Sequence, residues 1–572
     1  MPDADISQFT SVFRAGDRNR IRRNRATVSC TACQRRKSKC DRRQPCGACE
    51  KRSESDNCKY GAGGAGPSGS GGAGRKEAQL RLTRLEEMVR GLAQQDPEKL
   101  KSSPKVTDRL STGEEVEQPF QGATSWNSLV ESIRCIQDLL HENQDDEGSP
   151  ESVAEAEEPN FFFSNTSNIT IPEIVSSLPS KEDCNRIISA YFNAKFQAVP
   201  FIHTNQFQRR YEAFWEDPAS AGFLWISLFF GVLTAGAKIA RIKFSGDPNV
   251  LQTVQEPKFY MERAAQCLIA GQFLKDKAGS VEALLMHAHS RNIQKVDADP
   301  IIWAIYGLVV RLAQRQGYHR DAAKVSASIT PFEAEMRRRV WFMIQSSDLL
   351  FSFQHGMPPM IYEDVCDAGH PTNLLDADFD EDTAVLPPSR SDIDPTPILA
   401  WSTKSGLCSV LRRIMRHALN VTLPPYSETI ALNAQLEQWY SAYPASLRIR
   451  SIKTTSFIDP NHTIMHRIML ELMFRKAQCV LHRPYISLHK DEPAYNISRQ
   501  ICRNAALTML NLHIELDQEI TPGGRMYEDR FMVSSLTLQH FLIASTISCL
   551  DVMESIDLRY LVDPFFNVAY YW

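Results

Sequence analysis

From about residue 171 onward, apolar residues recur at three- and four-residue intervals, as in "PIIWAIYGLVVRLAQRQG" at 300–317, "EMRRRVWFMIQSSDLLFSF" at 335–353 and "HRIMLELMFRKAQCVLH" at 466–482. That period belongs to helices with one buried face, and it predicts a large all-helical bundle or stacked array over 171–572. The most apolar stretch, "GFLWISLFFGVLTAGA" at 222–237, is sixteen residues long and stops at Lys238. It falls short of the ~20 residues needed to span a bilayer and reads as a buried core helix. A second, much shorter pattern lies upstream, where Ala78, Leu82, Leu85, Val89 and Leu92 follow 4-3-4-3 spacing. This is the seam of a short coiled coil over 75–93, and in a parallel pair Arg81 would face Glu86 of the partner helix. An amphipathic helix packed on its own chain is the alternative.

Between these patterns the chain turns polar. Residues 94–170 are interrupted by Pro97, Pro104, Pro119 and Pro150, and residues 142–158 hold eight Asp or Glu with no Lys or Arg. The expectation is a largely disordered acidic linker. Its acidic stretch running into "FFF" at 161–163 suits either an activation segment or a solvated spacer. Residues 61–74, "GAGGAGPSGSGGAG", form a flexible tether, and counted from Lys59 its r.m.s. reach is roughly 20–24 Å. Such a tether does not dictate one separation between the elements it joins.

A chain of 572 residues is too long for a single core and implies two to four domains. Its net charge of −4 hides a strong asymmetry, because residues 14–43 carry twelve Lys or Arg against Asp17 and Asp41. A local excess of this kind marks a basic segment for a polyanion. Residues 1–25 form its N-terminal arm, and "RNRIRRNR" at 18–25 suits a nuclear-localisation signal, a phosphate-binding arm or both.

Six cysteines sit against this charge. Cys30, Cys33, Cys40, Cys46, Cys49 and Cys58 have the spacing C-x2-C-x6-C-x5-C-x2-C-x8-C, whereas the other eight are scattered singly and look like buried thiols. A disulfide knot needs an oxidising compartment, and the N-terminus has no apolar stretch of the kind that directs secretion. Zinc is the better reading, since thiolates bind Zn2+ tetrahedrally and each C-x2-C pair can clasp one ion from a single turn. Two ions need eight bonds, which six sulfurs supply if two of them bridge. A cysteine-rich zinc store is disfavoured by the fixed spacing and the cationic loop.

The stretch from Cys30 to Cys58 resembles the Zn2Cys6 binuclear-cluster domain of fungal transcription factors in all six cysteines, their spacing, the basic "QRRKSKC" and the loop proline Pro45. The resemblance implies two zinc ions per chain bridged by Cys30 and Cys46, in a DNA-binding domain over 26–60. A short helix after the first C-x2-C pair carries Arg35, Arg36, Lys37 and Lys39, which can meet guanine edges and phosphates in the major groove. By resemblance, base reading falls chiefly to Lys37, with Arg36 beside it, on a CGG-type triplet. Arg35 and Lys39 are expected on phosphate, which positions without specifying.

Farther along, "YFNAKFQAVPFIHTNQF", "QGYHRDAA", "PFEAEMRRRVWFMIQSSD", "HGMPPMIYEDVCDAGHPTNLLDADF" and "LHRPYISL" resemble the fungal-specific transcription factor domain that accompanies such clusters. That family usually has Gly-Arg-Pro where this chain reads "HGMPP" at 355–359, so no role is carried to that loop. Signs of catalysis are poor. "YHRD" at 318–321 resembles a kinase catalytic loop, but the later metal-holding Asn is Ser326 and no Asp-Phe-Gly follows. His287 and His289 flank one residue with no acidic partner nearby and read as core or surface histidines. The "MRRR" run at 336–339 reads as the solvated side of a helix whose core side begins at Trp341 and Phe342.

The expected protein is therefore not an enzyme but a nuclear, sequence-specific transcription factor for RNA polymerase II genes, bound to CGG-type half-sites as a homodimer. A metabolic or secondary-metabolite gene set is its expected target. Its other partners would be the transcription machinery and, in an alternative reading, a small-molecule effector for which the helical domain is primarily the sensor. No membrane is expected.

Overall fold

Ser or Thr followed by Pro, or by an acid three residues on, opens several helices of the chain. Thr330 accepts from the Glu333 N–H at 3.1 Å with Pro331 in the first turn, and Thr396 accepts from the Leu399 N–H at 3.0 Å with Pro397 following it. The oxygen satisfies a donor that the first turn leaves orphaned, and the proline removes another. In the computed structural model, residues 46–52, 124–125, 169–245, 254–295, 299–488 and 492–555 are described. Residues 1–100 and 101–572 form two compact units.

The first unit contributes one short helix, α1 (Gly47–Glu50). The second is helical throughout its described length, with no strand among the described residues. Its helices are α2 (Ile171–Ser176), α3 (Lys181–Asn193), α4 (Thr204–Glu216), α5 (Phe223–Lys243), α6 (Pro257–Ala270), α7 (Ser280–Gln294), α8 (Pro300–Arg315), α9 (Ala322–Val325) and α10 (Pro331–His355). They continue with α11 (Pro397–Ala418), α12 (Tyr426–Ala442), α13 (Asn461–His482), α14 (Pro484–Ser487), α15 (Asn496–Ile520) and α16 (Ser535–Ser555). The expected large helical region is present, and α2 begins at Ile171.

Two helices are enclosed on nearly every side, and the others pack around them. α5 lies against α3, α6 and α7, while α13 lies against α11, α15 and α16. α8, packed on α7 and α10, and α11, packed on α10 and α13, join the two groups. α5 is long and apolar enough to cross a membrane, yet fifteen of its residues are buried in the protein, as expected for a core helix. Gly236 and Gly231 permit this enclosure. A Cβ at Gly236 would press on the Ile187 carbonyl of α3, and one at Gly231 would come within 2.7 Å of Met286 Cγ on α7.

The arginine run of α10 differs from the expectation. Arg337 and Arg338 keep some solvent access, but Arg339 is only 1% exposed at its side chain. It pairs with Glu335 at 3.2 Å and Asp376 at 2.8 Å, donates to the Leu374 carbonyl at 2.8 Å and lies over the Phe379 ring. Asp376 also accepts from the Thr204 N–H and hydroxyl, both at 2.9 Å, at the start of α4. A buried charge survives only when paired and hydrogen-bonded, and this network fixes the loop at 372–380 across α4 and α10. Three successive arginines cannot share one helix face, since each residue turns by about 100°.

The scattered cysteines are not uniformly buried either. Cys184, Cys267, Cys408, Cys479 and Cys502 are, but Cys366 is half-buried and Cys549 is exposed. Burial holds the Cys184 and Cys267 thiols at about 12, so both stay protonated at neutral pH. His287 and His289 lie buried on α7, each lowered to about 4 by burial, and His289 Nε2 contacts the Gln197 carbonyl at 3.0 Å. They are core histidines. Asp321 of the "YHRD" stretch caps α9, with its carboxylate accepting from the Ala323 N–H at 3.2 Å.

Lys476 on α13 is a different case. It is 2% exposed, lies 4.0 Å from the Phe353 ring centroid and has no carboxylate partner among the described residues. Burial lowers its pKa from 10.5 to about 7. Between those values the unfolded chain keeps a proton that the folded chain has released, so this group makes stability rise with pH across that window. Below about pH 7 the folded protein must carry the buried ammonium. Lys476→Met is expected to stabilise the chain by about 1–4 kcal/mol at pH 6, with the gain shrinking towards pH 10. Denaturant unfolding of both proteins at several pH values checks this, and a pH-independent difference contradicts it.

Candidate metal centre and ligand cavity

Cys46 and Cys49 share one turn of backbone. The Cys49 and Glu50 N–H groups donate to the Cys46 carbonyl at 2.8 and 2.9 Å, and the Arg52 N–H donates to Cys49 at 3.2 Å. Residues three apart on a helical turn lie on the same face, which brings the two thiols to one side of α1. Both are buried, at 0% and 2% exposure. Two thiols clasped by one turn suit two positions of a tetrahedral zinc site, so the described residues fit the metal. Zinc there would supply folding energy to a segment too small for a core of its own.

Cys30, Cys33, Cys40 and Cys58 lie outside the described residues. So do Arg35, Arg36, Lys37 and Lys39, and the seam Ala78, Leu82, Leu85, Val89 and Leu92. Among the described residues, no group of three or more His, Cys, Asp or Glu is placed to hold a metal ion.

Residues 28–62 match the family described as the fungal Zn(2)-Cys(6) binuclear cluster domain, and residues 188–441 match the fungal specific transcription factor domain. The Zn(2)-C6 fungal-type transcription factor pigI of Monascus ruber is 32% identical, over 93% of this chain and 73% of its own. The chain is a fungal Zn2Cys6 transcription factor. The similarly named mpsB of Macrophomina phaseolina is also 32% identical, over 91% of this chain and 73% of its own. The fusarisetin A cluster transcription factor fsa6 of a Fusarium species is 30% identical, over 92% and 76%. The family is one of DNA-binding regulators and not of enzymes, which agrees with the reading of the sequence.

Two cavities in the helical domain of this transcription factor differ in character. The larger, about 660 Å3, is lined by apolar residues, by His203, Gln206, Gln316 and the exposed Arg210, and by Arg337, Lys277, Glu333 and Glu282. Each of the last four charges has a partner. Arg337 meets Glu333 at 3.1 Å, Lys277 donates to the Gly271 carbonyl at 3.0 Å, and Glu282 accepts from Tyr318 at 2.5 Å.

The smaller, about 130 Å3, lies where α7, α8 and α10 meet α11, α13 and the start of α16. Its walls are mainly apolar and aromatic, with Lys404 and His466 among them and no Asp or Glu. His466 is 7% exposed, and neither ring nitrogen has a hydrogen-bond partner. Burial, with help from His462 and Lys404, lowers its pKa to about 3, so the ring is neutral. Lys404 keeps partial access to solvent but is surrounded closely enough that burial lowers its pKa. Its ammonium sits over the Trp401 ring at 5.1 Å.

Sequence reasoning missed this cavity, although a signal was present. His466, Met469, Met473 and Lys476 fall at three- and four-residue intervals on α13. Two polar residues thus stand in the stripe that the apolar pattern reserves for core.

Proposed function

We propose that the protein regulates RNA polymerase II genes in the nucleus by binding CGG-type half-sites as a homodimer, through two zinc ions held by Cys30, Cys33, Cys40, Cys46, Cys49 and Cys58. The observation that carries this is the pair Cys46 and Cys49 in one turn, inside a stretch that matches the binuclear-cluster family. Lys37 reads guanine, with Arg36 beside it, while Arg35 and Lys39 hold phosphate. The helix over 75–93 pairs two copies through Ala78, Leu82, Leu85, Val89 and Leu92. The relatives named for the fusarisetin A and equisetin clusters support a secondary-metabolite gene set as the target. The small cavity beside α13 favours a second reading, in which the helical domain answers a small molecule and DNA binding is its output.

Metal analysis of the purified chain should give two zinc ions, and one ion or more than two contradicts the shared cluster. Lys37→Ala should weaken binding to the preferred triplet by ~1–3 kcal/mol and scarcely affect unrelated DNA. Arg35→Ala should weaken both alike and lower the salt slope by roughly 0.9. Salt titrations on matched and scrambled duplexes separate the two roles. An equal loss on both duplexes for Lys37→Ala would make it a phosphate anchor. Leu85→Pro, which costs ~3 kcal/mol or more inside a helix, should weaken binding to paired half-sites and spare a single one. Unchanged affinity for the paired site would remove the dimer helix.

A further inference from the structure

The small cavity presents an electrostatic problem that no residue around it solves. A cation and an unpartnered imidazole face a mostly apolar space without a carboxylate among the lining residues. A buried polar group without a partner is costly, and a buried cation more so. Nearby charge deepens the imbalance. His540 is lowered to about 3 by burial and then by Lys476 and Lys404, and its Nε2 is also without a partner. By contrast, the buried arginines Arg291, Arg339, Arg412 and Arg467 each meet an aspartate. Lys404, Lys476, His466 and His540 thus gather positive and unpartnered groups in this part of α11, α13 and α16, with no carboxylate among the described residues to answer them.

We propose that this cavity is the binding site for a small apolar molecule carrying one acidic group, whose anion sits between Lys404 and His466 and whose apolar part packs against Tyr306, Met343 and Phe351. The proposal rests on the reading that the helical domain answers a small molecule, and it names the chemical class. Each element of the ligand follows from the walls. An anion supplies the counter-charge that Lys404 lacks and accepts a hydrogen bond from the neutral His466 ring in the tautomer that turns its N–H towards it, since neither ring nitrogen is otherwise committed. Aromatic and thioether walls select an apolar body over a sugar or a nucleotide. Size follows as well, because a dry cavity of about 150 Å3 accepts one benzene ring, and this one measures about 130 Å3. One ring or a short acyl chain fills it.

Its position supplies a means of regulation. α7 belongs to the group around α5 and α13 to the other, α8 and α11 join them, and the cavity takes walls from all four. A ligand that binds there stabilises the arrangement in which the two groups are packed as described, and it shifts the domain only as far as it prefers that arrangement.

Calorimetric titration of the full, zinc-loaded chain with phenylacetate and with its neutral analogue phenylacetamide tests the proposal. Phenylacetate should bind roughly tenfold or more tightly, as expected for a charge-assisted hydrogen bond over a neutral one. Lys404→Met should erase that preference while leaving the amide's affinity in place. Met473→Trp, which fills the space from α13, should abolish binding of both, and thermal unfolding of each variant establishes that it is folded. Equal affinity of acid and amide for the parent overturns the proposal. So does failure of phenylacetate to bind, or a preference that survives in folded Lys404→Met. A separate readout, the affinity of the chain for its DNA with and without saturating phenylacetate, bears on the sensing reading alone. An acid that binds with the expected preference but leaves DNA affinity unchanged keeps the site and removes that reading.

Discussion

The helical domain depends on the complete enclosure of two helices, and the two are enclosed by opposite means. α5 is almost wholly apolar, and its neighbours approach it closely because Gly231 and Gly236 leave room for Met286 and for the backbone of α3. α13 is enclosed just as thoroughly but carries His466, Arg467, Glu471, Lys476 and His482 into the interior. Most of these are answered. Arg467 pairs with Asp459 at 2.6 Å, Glu471 with Arg475 at 2.7 Å, and His482 contacts Ser498 and Asn433. Lys476 and His466 are not, and the apolar helix offers no counterpart to them. A domain that served only to space a DNA-binding module from other partners would have no need of an unmatched lysine and imidazole in its core.

The legible part of this architecture is the part that follows from period and punctuation. Three- and four-residue spacing identified the helical character of residues 300–317, 335–353 and 466–482, and sixteen apolar residues ending at Lys238 identified a buried helix too short, as read, to cross a bilayer. In the structure that helix runs on to Lys243, because its last turn continues past Lys238 with Arg241 and Lys243 reaching outward. Arg339 could not be placed from the run alone. Its burial depends on Asp376 and Leu374, which are distant in sequence and arrive on a loop with no periodic signal. The cavity was equally hidden, since its walls come from six elements and its chemistry lies in what the lining lacks.

The metal centre shows the opposite balance. The family was legible from spacing, because six thiols at fixed intervals in a basic stretch leave few chemistries open. The structure contributes the local geometry of Cys46 and Cys49, whose shared turn is the feature that a C-x2-C clasp requires. Cluster and helical domain meet different constraints. The first is too small to fold on apolar burial alone and suits a metal, whereas the second has a core large enough to tolerate buried charge, paired at Arg339, Arg412 and Arg467 and, among the described residues, without a carboxylate at Lys476.

The dependence of DNA recognition on zinc is tested most directly by one titration. Fluorescence anisotropy of a labelled duplex with paired CGG triplets, measured with the full chain before chelation, after chelation and after zinc is restored, should show sequence-specific binding lost and then recovered as two ions per chain are returned. A metal-free chain that still prefers the CGG duplex over a scrambled one would contradict it.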